Sequence, residues 1–336
     1  MGFLVVAALS WSAVTVLYPE IEPYDHGMLD VGDGHRLYWE TSGNPDGKPA
    51  VVLHGGPGSG CTPVDRRFFD PAAYRVVAFD QRNCGRSTPH ASDPAVDLAT
   101  NTTPHLLGDL ERLREHLSVD RWLLFGGSWG SVLGLAYAER HPERVSGMVI
   151  DGVTLGRRSE IDWLYHGLGR FFPAEWARFR AALPAADRGS DTARDIVAAY
   201  HRLLESPDAA VREQAARDWC DWEMSLMSTD PDHVPSPRWS RPEWRLAYAR
   251  IVTHYFVHDS FLAEGVLLRE VGALAGIPGV LVHGRLDFEG PLGNAWELNQ
   301  AWPDSRLVVV ASAGHASSDP GMEEAIVAAL DGFARR

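Results

Sequence analysis

The sequence predicts an α/β fold with a mostly parallel central sheet and helices on both of its faces. Two patterns support this prediction: short apolar runs typical of buried strands, and helical periodicities that lie between many of them. Strands that alternate with helices form parallel sheets, because each helix carries the chain back across one face of the sheet. The strand-like runs are 50–53, 74–79, 122–125, 145–150, 280–282 and 306–310, and the helical patterns are 103–117, 131–140, 292–301 and 321–334.

The first part of the chain differs from this alternation. Gly32-Asp33-Gly34 separates two extended patterns, 27–31 and 35–41, and a glycine-rich turn at such a point predicts an antiparallel hairpin. Residues 1–17 are apolar, but no Lys or Arg precedes the run, no small-residue cleavage site closes it, and it is short for a membrane span. We therefore expect a poorly ordered N-terminal extension over residues 1–17.

The interval 157–270 also breaks the alternation. It has no strand-like run, is rich in Ala, Arg, Glu and Trp, and carries half of the chain's 12 tryptophans. These features predict a helical insertion between a first core segment, 18–156, and a second core segment, 271–336. Because ligands bind at the carboxyl edge of the sheet in such folds, we expect the insertion to form a lid over that edge.

Composition limits the classes of partner. A net charge of −14 argues against nucleic acid and anionic membranes, because both are negatively charged themselves. Cys61, Cys84 and Cys220 are few, odd in number and not spaced as a metal site, which favours a reducing, cytoplasmic setting. We therefore expect a small peptide or another small molecule as the partner.

Gly126-Gly127-Ser128-Trp129-Gly130 is the most informative motif. It lies between a predicted strand and a predicted helix, the setting of a nucleophile elbow, in which a tight turn exposes a serine hydroxyl. Glycines flank the serine because such a turn leaves no room for side chains. An ordinary glycine-rich turn is the alternative interpretation, and the flanking strand and helix favour the elbow.

A serine nucleophile needs a base, and the base needs a carboxylate that orients it. In hydrolases with this layout the acid and then the histidine follow the serine, each after a strand. Asp287 and His315 occupy such positions and are our candidate acid and base. Asp151 and Glu289 are alternative acids, and we interpret His283 as a packing or loop-supporting residue.

A glycine-rich segment, His54-Gly55-Gly56-Pro57-Gly58, follows the strand-like run 50–53. Glycines there allow backbone N–H groups to point into a site and stabilise a developing oxyanion. We assign the two oxyanion donors to the N–H groups of Gly56 and Trp129, and we place Gly55 among the substrate-binding residues. A plain turn is the alternative interpretation of this segment.

Segments along nearly the whole chain match the motifs of one known family. They are Leu17-Tyr18-Pro19-Glu20, His54-Gly55-Gly56-Pro57-Gly58, Asp80-Gln81-Arg82-Asn83-Cys84-Gly85-Arg86-Ser87, Asn101-Thr102-Thr103, Gly126-Gly127-Ser128-Trp129-Gly130-Ser131, His141-Pro142-Glu143-Arg144-Val145, Ala295-Trp296-Glu297-Leu298 and Ala313-Gly314-His315. With these motifs the chain resembles the proline iminopeptidase (prolyl aminopeptidase) family of α/β-hydrolases. The resemblance implies an α/β-hydrolase fold with a helical lid, and a serine exopeptidase that removes an N-terminal proline without metal or organic cofactor.

The resemblance also implies a carboxylate that binds the substrate's cationic amine. Trp219-Cys220-Asp221-Trp222-Glu223 matches a lid motif of the family, so Glu223 is the implied anchor, with an exposed helix glutamate as the alternative interpretation. Val252 stands where many members have a second glutamate, and Asp221 or Glu264 are candidate substitutes. Asn83 stands where a glycine is usual.

Together these features predict a serine hydrolase that releases N-terminal proline through an acyl-enzyme intermediate. The valine at position 252 favours a related hydrolase acting on an amide, ester or lactone of a small metabolite as the second hypothesis. A non-catalytic binding protein on the same fold is the third hypothesis, and the complete set of serine, acid and histidine argues against it.

Overall fold

The computed structural model describes residues 4–7, 16–189, 192–230 and 232–335. Within these residues the strands form one nine-stranded sheet, and all six strand-like runs and both halves of the hairpin are confirmed. The strands are β1 (Leu4–Ala7), β2 (Asp25–Gly32), β3 (His35–Gly43), β4 (Lys48–Leu53), β5 (Tyr74–Phe79), β6 (Trp122–Ser128), β7 (Val145–Val153), β8 (Gly279–Gly284) and β9 (Ser305–Val310).

The sheet has the strand order β1-β9-β8-β7-β6-β4-β5-β3-β2. The pairs β2–β3 and β3–β5 are antiparallel, and the pairs from β5 to β1 along this order are parallel. The carboxyl ends of the parallel strands therefore meet at one edge, as predicted for this fold.

Helices cover the sheet on both faces and also fill the interval between β7 and β8. All four helical patterns seen in the sequence are confirmed. The α-helices are α1 (Thr103–His116), α2 (Trp129–Arg140), α3 (Arg158–Tyr165), α4 (Pro173–Ala181), α5 (Ala193–Leu204), α6 (Ala209–Met224), α7 (Pro242–Val257), α8 (Val266–Arg269), α9 (Leu292–Ala301) and α10 (Met322–Ala334).

Alternation along the central strands builds two hydrophobic layers. In β6, Trp122 and Leu124 belong to the core shared with α1, α2 and α9, whereas Leu123 and Phe125 belong to the core shared with α10. Side chains of successive strand residues point to opposite faces, so a strand buried on both sides reads as a continuous apolar run. This is the pattern that the sequence shows.

Helices α3 to α8 lie in the predicted insertion, and no strand interrupts them in its described residues. We call residues 157–270 the helical insertion. Its core is separate from those of the sheet and is rich in aromatic side chains, including Trp219, Trp222 and Trp239. Helix α6 begins after Asp208, whose carboxylate accepts the N–H of Ala210 at 2.9 Å and so caps the helix.

The N-terminal extension is described only in part. Residues 4–7 form β1, which pairs with β9 at the edge of the sheet and which the sequence did not predict. Val16 and Leu17 pack against the core on the α10 face. Residues 1–3 and 8–15 lie outside the described residues. Across the described ranges, no helix is both long and apolar enough to cross a bilayer.

Candidate active site

Ser128 lies at a sharp turn where β6 ends and α2 begins. Its φ and ψ angles are 54° and −123°, a backbone conformation that residues other than glycine rarely adopt. A Cβ at position 126 would lie 2.7 Å from the carbonyl oxygen of Gly130, and one at position 130 would overlap the carbonyl of Leu53. Only glycine fits two residues before and two residues after the serine, which explains the motif.

Asp287 and His315 are brought together by the ends of two neighbouring strands. Asp287 follows β8 and His315 follows β9, and the imidazole Nδ1–H donates to Asp287 Oδ2 at 2.8 Å. The other carboxylate oxygen accepts the N–H of Gly290 at 2.8 Å, which fixes the carboxylate in the loop. Both side chains are buried. The hydrogen bond to Asp287 therefore fixes the ring, and Nε2 of His315 lies 3.4 Å from Glu289 Oε2.

The charges of this pair shift both pKa values. Burial raises the pKa of Asp287, but the positive charge and hydrogen bond of His315 outweigh it, so the net shift is downward. Burial lowers the pKa of His315, but the negative charges of Asp287 and Glu289 outweigh it, so the net shift is upward. The pair thus favours an ionised acid beside a basic imidazole.

The alternative residues for these roles lie close by but are bonded differently. Asp151 is buried and accepts the hydroxyl of Ser317 at 2.9 Å, and burial raises its pKa. His283 Nδ1 accepts the N–H of Val153 at 3.0 Å, and its Nε2–H donates to the carbonyl of Gly290 at 2.7 Å. Because both nitrogens of His283 are occupied by backbone groups, it supports the loop, as expected from the sequence.

The glycine segment 54–58 packs against the serine turn. A Cβ on Gly55 would lie 3.3 Å from the carbonyl oxygen of Gly127 and 3.4 Å from the Cβ of Ser128. Gly56 and Ser128 line the same cavity. Trp129 is the first residue of α2, so its N–H has no acceptor within the helix and lies at the positive end of the helix dipole.

One residue that the sequence argument did not single out holds this region together. Gln81 follows β5, and its amide oxygen accepts the indole N–H of Trp129 at 3.0 Å. The amide nitrogen of Gln81 donates to the carbonyl of His54 at 2.9 Å, and its backbone N–H donates to His54 Nε2 at 3.0 Å. The side chain therefore fixes the glycine segment relative to the serine turn.

Glu223 comes to the same cavity from α6 in the helical insertion. It is buried, so its alternative interpretation as an exposed helix glutamate is wrong. The hydroxyls of Tyr165 and Tyr248 donate to its two oxygens, each at 2.5 Å. Burial raises the pKa of Glu223 above its usual value, against the opposing effect of these hydrogen bonds. The tyrosines lie 58 and 25 residues from Glu223 in the sequence, so no local pattern indicated them.

Two adjoining cavities lie between the edge of the sheet and the helical insertion. Their volumes are about 190 Å³ and about 70 Å³, which together suit a ligand of the size of a small amino acid. Ser128, His315 and Asp151 line the larger cavity. The residues that line both cavities are Gly56, Ser128, Glu223, Tyr248 and Glu289.

The loop that carries His315 and the helical insertion are joined by backbone hydrogen bonds. The N–H groups of His315 and Ala316 both donate to the carbonyl of Met227, at 3.1 Å and 2.9 Å. Met227 follows α6 and lies four residues beyond Glu223.

No group of three potential metal ligands occurs in the described ranges, so these carboxylates and histidines are not arranged as a metal centre there.

Comparison with known proteins agrees with this arrangement. Residues 48–321 match the family model described as alpha/beta hydrolase fold. A probable proline iminopeptidase from Streptomyces coelicolor is 56% identical over 95% of this chain and 98% of its own length. A proline iminopeptidase from Xylella fastidiosa (strain Temecula1) is 49% identical over 94% of this chain and 99% of its own. The chain belongs to the proline iminopeptidase family of α/β-hydrolases.

Solved structures agree on the fold of this family member. The crystal structure of a proline iminopeptidase from Mycobacterium smegmatis has a TM-score of 0.61 and 19% identity, and covers 93% of this chain and 98% of its own. A bromoperoxidase from Bacillus anthracis has a TM-score of 0.63 and 17% identity, and covers 93% and 100%. At these identities the likeness supports the fold alone. The predicted α/β-hydrolase fold and the family resemblance are both confirmed, and the chain is an enzyme of the serine hydrolase class.

The structure explains one of this member's two departures from the family pattern. Asn83 has a φ of 65°, in the left-handed region that glycine and asparagine tolerate best. Its side-chain N–H donates to the carbonyl of Pro89 at 2.9 Å. Asparagine can therefore replace a glycine here without adopting a forbidden backbone conformation, and it adds a hydrogen bond.

The second departure removes a carboxylate. Val252 is buried in the apolar core of the helical insertion and lines neither cavity. The suggested substitutes, Asp221 and Glu264, are both exposed and also line neither cavity. The carboxylate of Glu264 instead accepts the N–H of Arg158 at 3.2 Å. The expectation that either residue supplies a second anchor is therefore wrong.

Proposed function

We propose that this protein is a prolyl aminopeptidase, a serine hydrolase that releases N-terminal proline from peptides through an acyl-enzyme intermediate. One observation carries the proposal: the buried carboxylate of Glu223 lines the same cavities as Ser128. A buried carboxylate without a positively charged partner favours a cationic ligand. The proline iminopeptidases that are 56% and 49% identical to this chain support the same substrate class.

Ser128, His315 and Asp287 form the catalytic triad in this proposal. Ser128 Oγ attacks the carbonyl carbon of the N-terminal residue while His315 Nε2 takes the hydroxyl proton. Asp287 holds the imidazole through its 2.8 Å hydrogen bond and stabilises the imidazolium. The N–H groups of Gly56 and Trp129 stabilise the tetrahedral oxyanion. The intermediate then collapses, and His315 gives its proton to the departing amine of the second residue.

Water completes the cycle. His315 takes a proton from a water molecule, the resulting hydroxide attacks the acyl carbonyl, and the proton returns to Ser128 Oγ as proline leaves. The substrate amine is held by Glu223, and the backbone at Gly55 lies against the acyl group. The combined volume of the two cavities suits a small amino acid, which supports the release of a single N-terminal residue.

The helical insertion acts as the lid in this proposal, since it supplies Glu223, Tyr165 and Tyr248 from above the edge of the sheet. Residues 18–156 and 271–336 form the core that carries the triad. Cys61, Cys84 and Cys220 are free thiols, which supports the proposed cytoplasmic location.

A second candidate function keeps the catalytic groups and changes the substrate to an amide, ester or lactone of a small metabolite. The apolar Val252 favours it, since one expected carboxylate is missing from α7. A lost charged hydrogen bond is worth about 1.5–3 kcal/mol, or about one to two decades in affinity.

A substrate panel tests the proposal. We expect kcat/KM for L-proline p-nitroanilide to exceed that for the alanine, leucine and N-acetylproline anilides. An equal rate with N-acetylproline anilide would support the second candidate instead.

Ser128→Ala tests the nucleophile on the same substrate. Because the alanine removes the attacking oxygen, we expect kcat to fall about 10⁴-fold or more. An unchanged thermal unfolding transition is the control that the variant is folded. Activity within tenfold of the wild type would refute the role of Ser128.

A further inference from the structure

Besides Glu223, one further carboxylate borders both cavities, and the mechanism above does not use it. Glu289 lies two residues after Asp287, between β8 and α9, and borders both cavities together with Glu223. Its side chain is 15% exposed, and in the described part of the chain its Oε1 atom is buried without a hydrogen-bond partner. A buried carboxylate oxygen without a donor is unfavourable in the free protein, and it marks a position where a ligand can donate.

Each cation near Glu289 also has another partner. His315 Nε2 is 3.4 Å from its Oε2 atom, and this histidine already bonds Asp287 through Nδ1. Arg238 borders the larger cavity but donates to two backbone carbonyls. Arg157 borders the smaller cavity but is paired with other glutamates. The two cavities therefore hold more negative than positive charge.

We propose that Glu289 is the second carboxylate of the ammonium site and a specificity-determining residue for free-amine substrates. This inference rests on the proposed aminopeptidase activity. The ammonium of an N-terminal proline is secondary and carries two N–H donors. Glu223 and Glu289 supply one acceptor each, from α6 and from the loop after β8. Glu289 thus takes the role that Val252 cannot fill on α7.

The position of Glu289 also links recognition of the amine to the catalytic base. Its Oε2 atom faces Nε2 of His315, the nitrogen that takes the proton from Ser128. A substrate ammonium attracts the carboxylate and so weakens its contact with the imidazole. Binding of a free amine therefore leaves Nε2 available for the serine, whereas an uncharged substrate leaves the contact in place.

Glu289→Gln tests this inference because it keeps the shape of the side chain and removes its charge. We would measure kcat and KM for L-proline p-nitroanilide and for the uncharged p-nitrophenyl acetate. Loss of one charged hydrogen bond should lower the anilide-to-ester ratio of kcat/KM about tenfold or more, chiefly through a higher KM for the anilide. Glu264→Gln and Asp221→Asn are matched controls, and they should leave this ratio unchanged.

A second measurement uses binding alone. Pyrrolidine, a secondary ammonium at neutral pH without a scissile bond, should inhibit the wild type competitively. Its inhibition constant should rise about tenfold in Glu289→Gln. The double variant with Glu223→Gln should lose less than the product of the two single effects, because both residues contact one cation.

The contrary outcomes distinguish failure of the inference about Glu289 from failure of the proposed function. An equal fall with anilide and ester, or an unchanged inhibition constant for pyrrolidine, would overturn the role of Glu289. If the wild-type enzyme hydrolysed N-acetylproline anilide at the same rate as the free-amine substrate, the proposed function itself would be overturned. A wild type that requires the free amine, with a Glu289→Gln variant that behaves identically, would overturn only the inference drawn from Glu289.

Discussion

Two regions of this molecule bury carboxylates in opposite ways. Beside the hairpin, Asp109 is paired with Arg82 through hydrogen bonds of 2.7 Å and 2.8 Å, and both side chains are fully buried. In the cavities, the oxygens of Glu223 accept the neutral hydroxyls of Tyr165 and Tyr248. Among the described residues, no Lys or Arg forms an ion pair with Glu223 or with Glu289.

In the proposed function, this difference separates charges that stabilise the fold from charges that bind the substrate. A buried ion costs several kcal/mol of solvation, and a partner of opposite charge compensates most of that loss. The protein supplies the partner for Asp109 from its own sequence. For the carboxylates of the cavities, the proposed partner is the substrate ammonium. Similar substitutions in the two regions should therefore have different consequences.

The largest effect on stability is expected from Arg82→Met. It would leave the carboxylate of Asp109 buried beside the half-exposed Arg112, whose guanidinium is 3.5 Å away. We expect the free energy of unfolding to fall by about 3–5 kcal/mol, as for other broken buried ion pairs. Urea denaturation monitored by tryptophan fluorescence would measure it, and the anilide-to-ester ratio of the folded enzyme should not change.

The control for this prediction removes both charges. Arg82→Met combined with Asp109→Leu replaces the ion pair by apolar groups and should recover most of the lost stability. If the double variant were as unstable as the single one, the uncompensated carboxylate would not be the cause.

Glu223→Gln should have the opposite pattern of effects: it should change the substrate preference without lowering the stability. Removing a carboxylate with a raised pKa should not destabilise the ligand-free enzyme, since the buried charge is itself unfavourable. The anilide-to-ester ratio of kcat/KM should nevertheless fall about 10- to 100-fold. Glu213→Gln, on the exposed part of the same helix, is the control. A large loss of stability without a change in this ratio would contradict the distinction between the two regions.

The smallest effect is a change in how stability depends on pH. Burial, together with the charges of Glu223 and Asp287 and against that of His315, raises the pKa of Glu289 from 4.5 to about 8. The folded state therefore binds this proton more tightly than the unfolded state, so the free energy of unfolding falls as pH rises between these two values.

Glu289→Gln removes this dependence. We expect the Tm of the ligand-free variant to exceed that of the wild type by about 2–4 °C above pH 8, and the difference to vanish near pH 5. Differential scanning calorimetry across this range measures it. The same difference in Tm at every pH would show that the charge of Glu289 is not responsible.

The sequence alone predicted those residues of the candidate site that lie at the ends of strands. Ser128, Asp287 and His315 each follow an apolar run, and parallel strands bring their carboxyl ends to one edge. The structure places the acid beside the histidine as expected, while the catalytic roles of the three residues stay predictions. The glycines around the serine were also predictable, because the turn excludes side chains.

The surroundings of Glu223 and Glu289 were less predictable, because they depend on tertiary packing. Tyr165 and Tyr248 meet Glu223 only when α3, α6 and α7 pack against one another, and no spacing in the sequence records that contact. The sequence indicates Glu289 only as an alternative acid, because no local pattern shows that it borders both cavities. Strand β1 is not predictable from the sequence because the residues it pairs with in β9 lie 303 positions further along the chain.

The hydrogen bonds from His315 and Ala316 to Met227 have a consequence for protein engineering. They join the end of α6 to the loop after β9, so the helical insertion is not an independent module that can be exchanged at residues 157 and 270. A chimaera that receives this insertion from another member needs the matching loop around residues 313–319 as well. Transfer of substrate preference between relatives therefore requires two segments that are distant in sequence and replaced together.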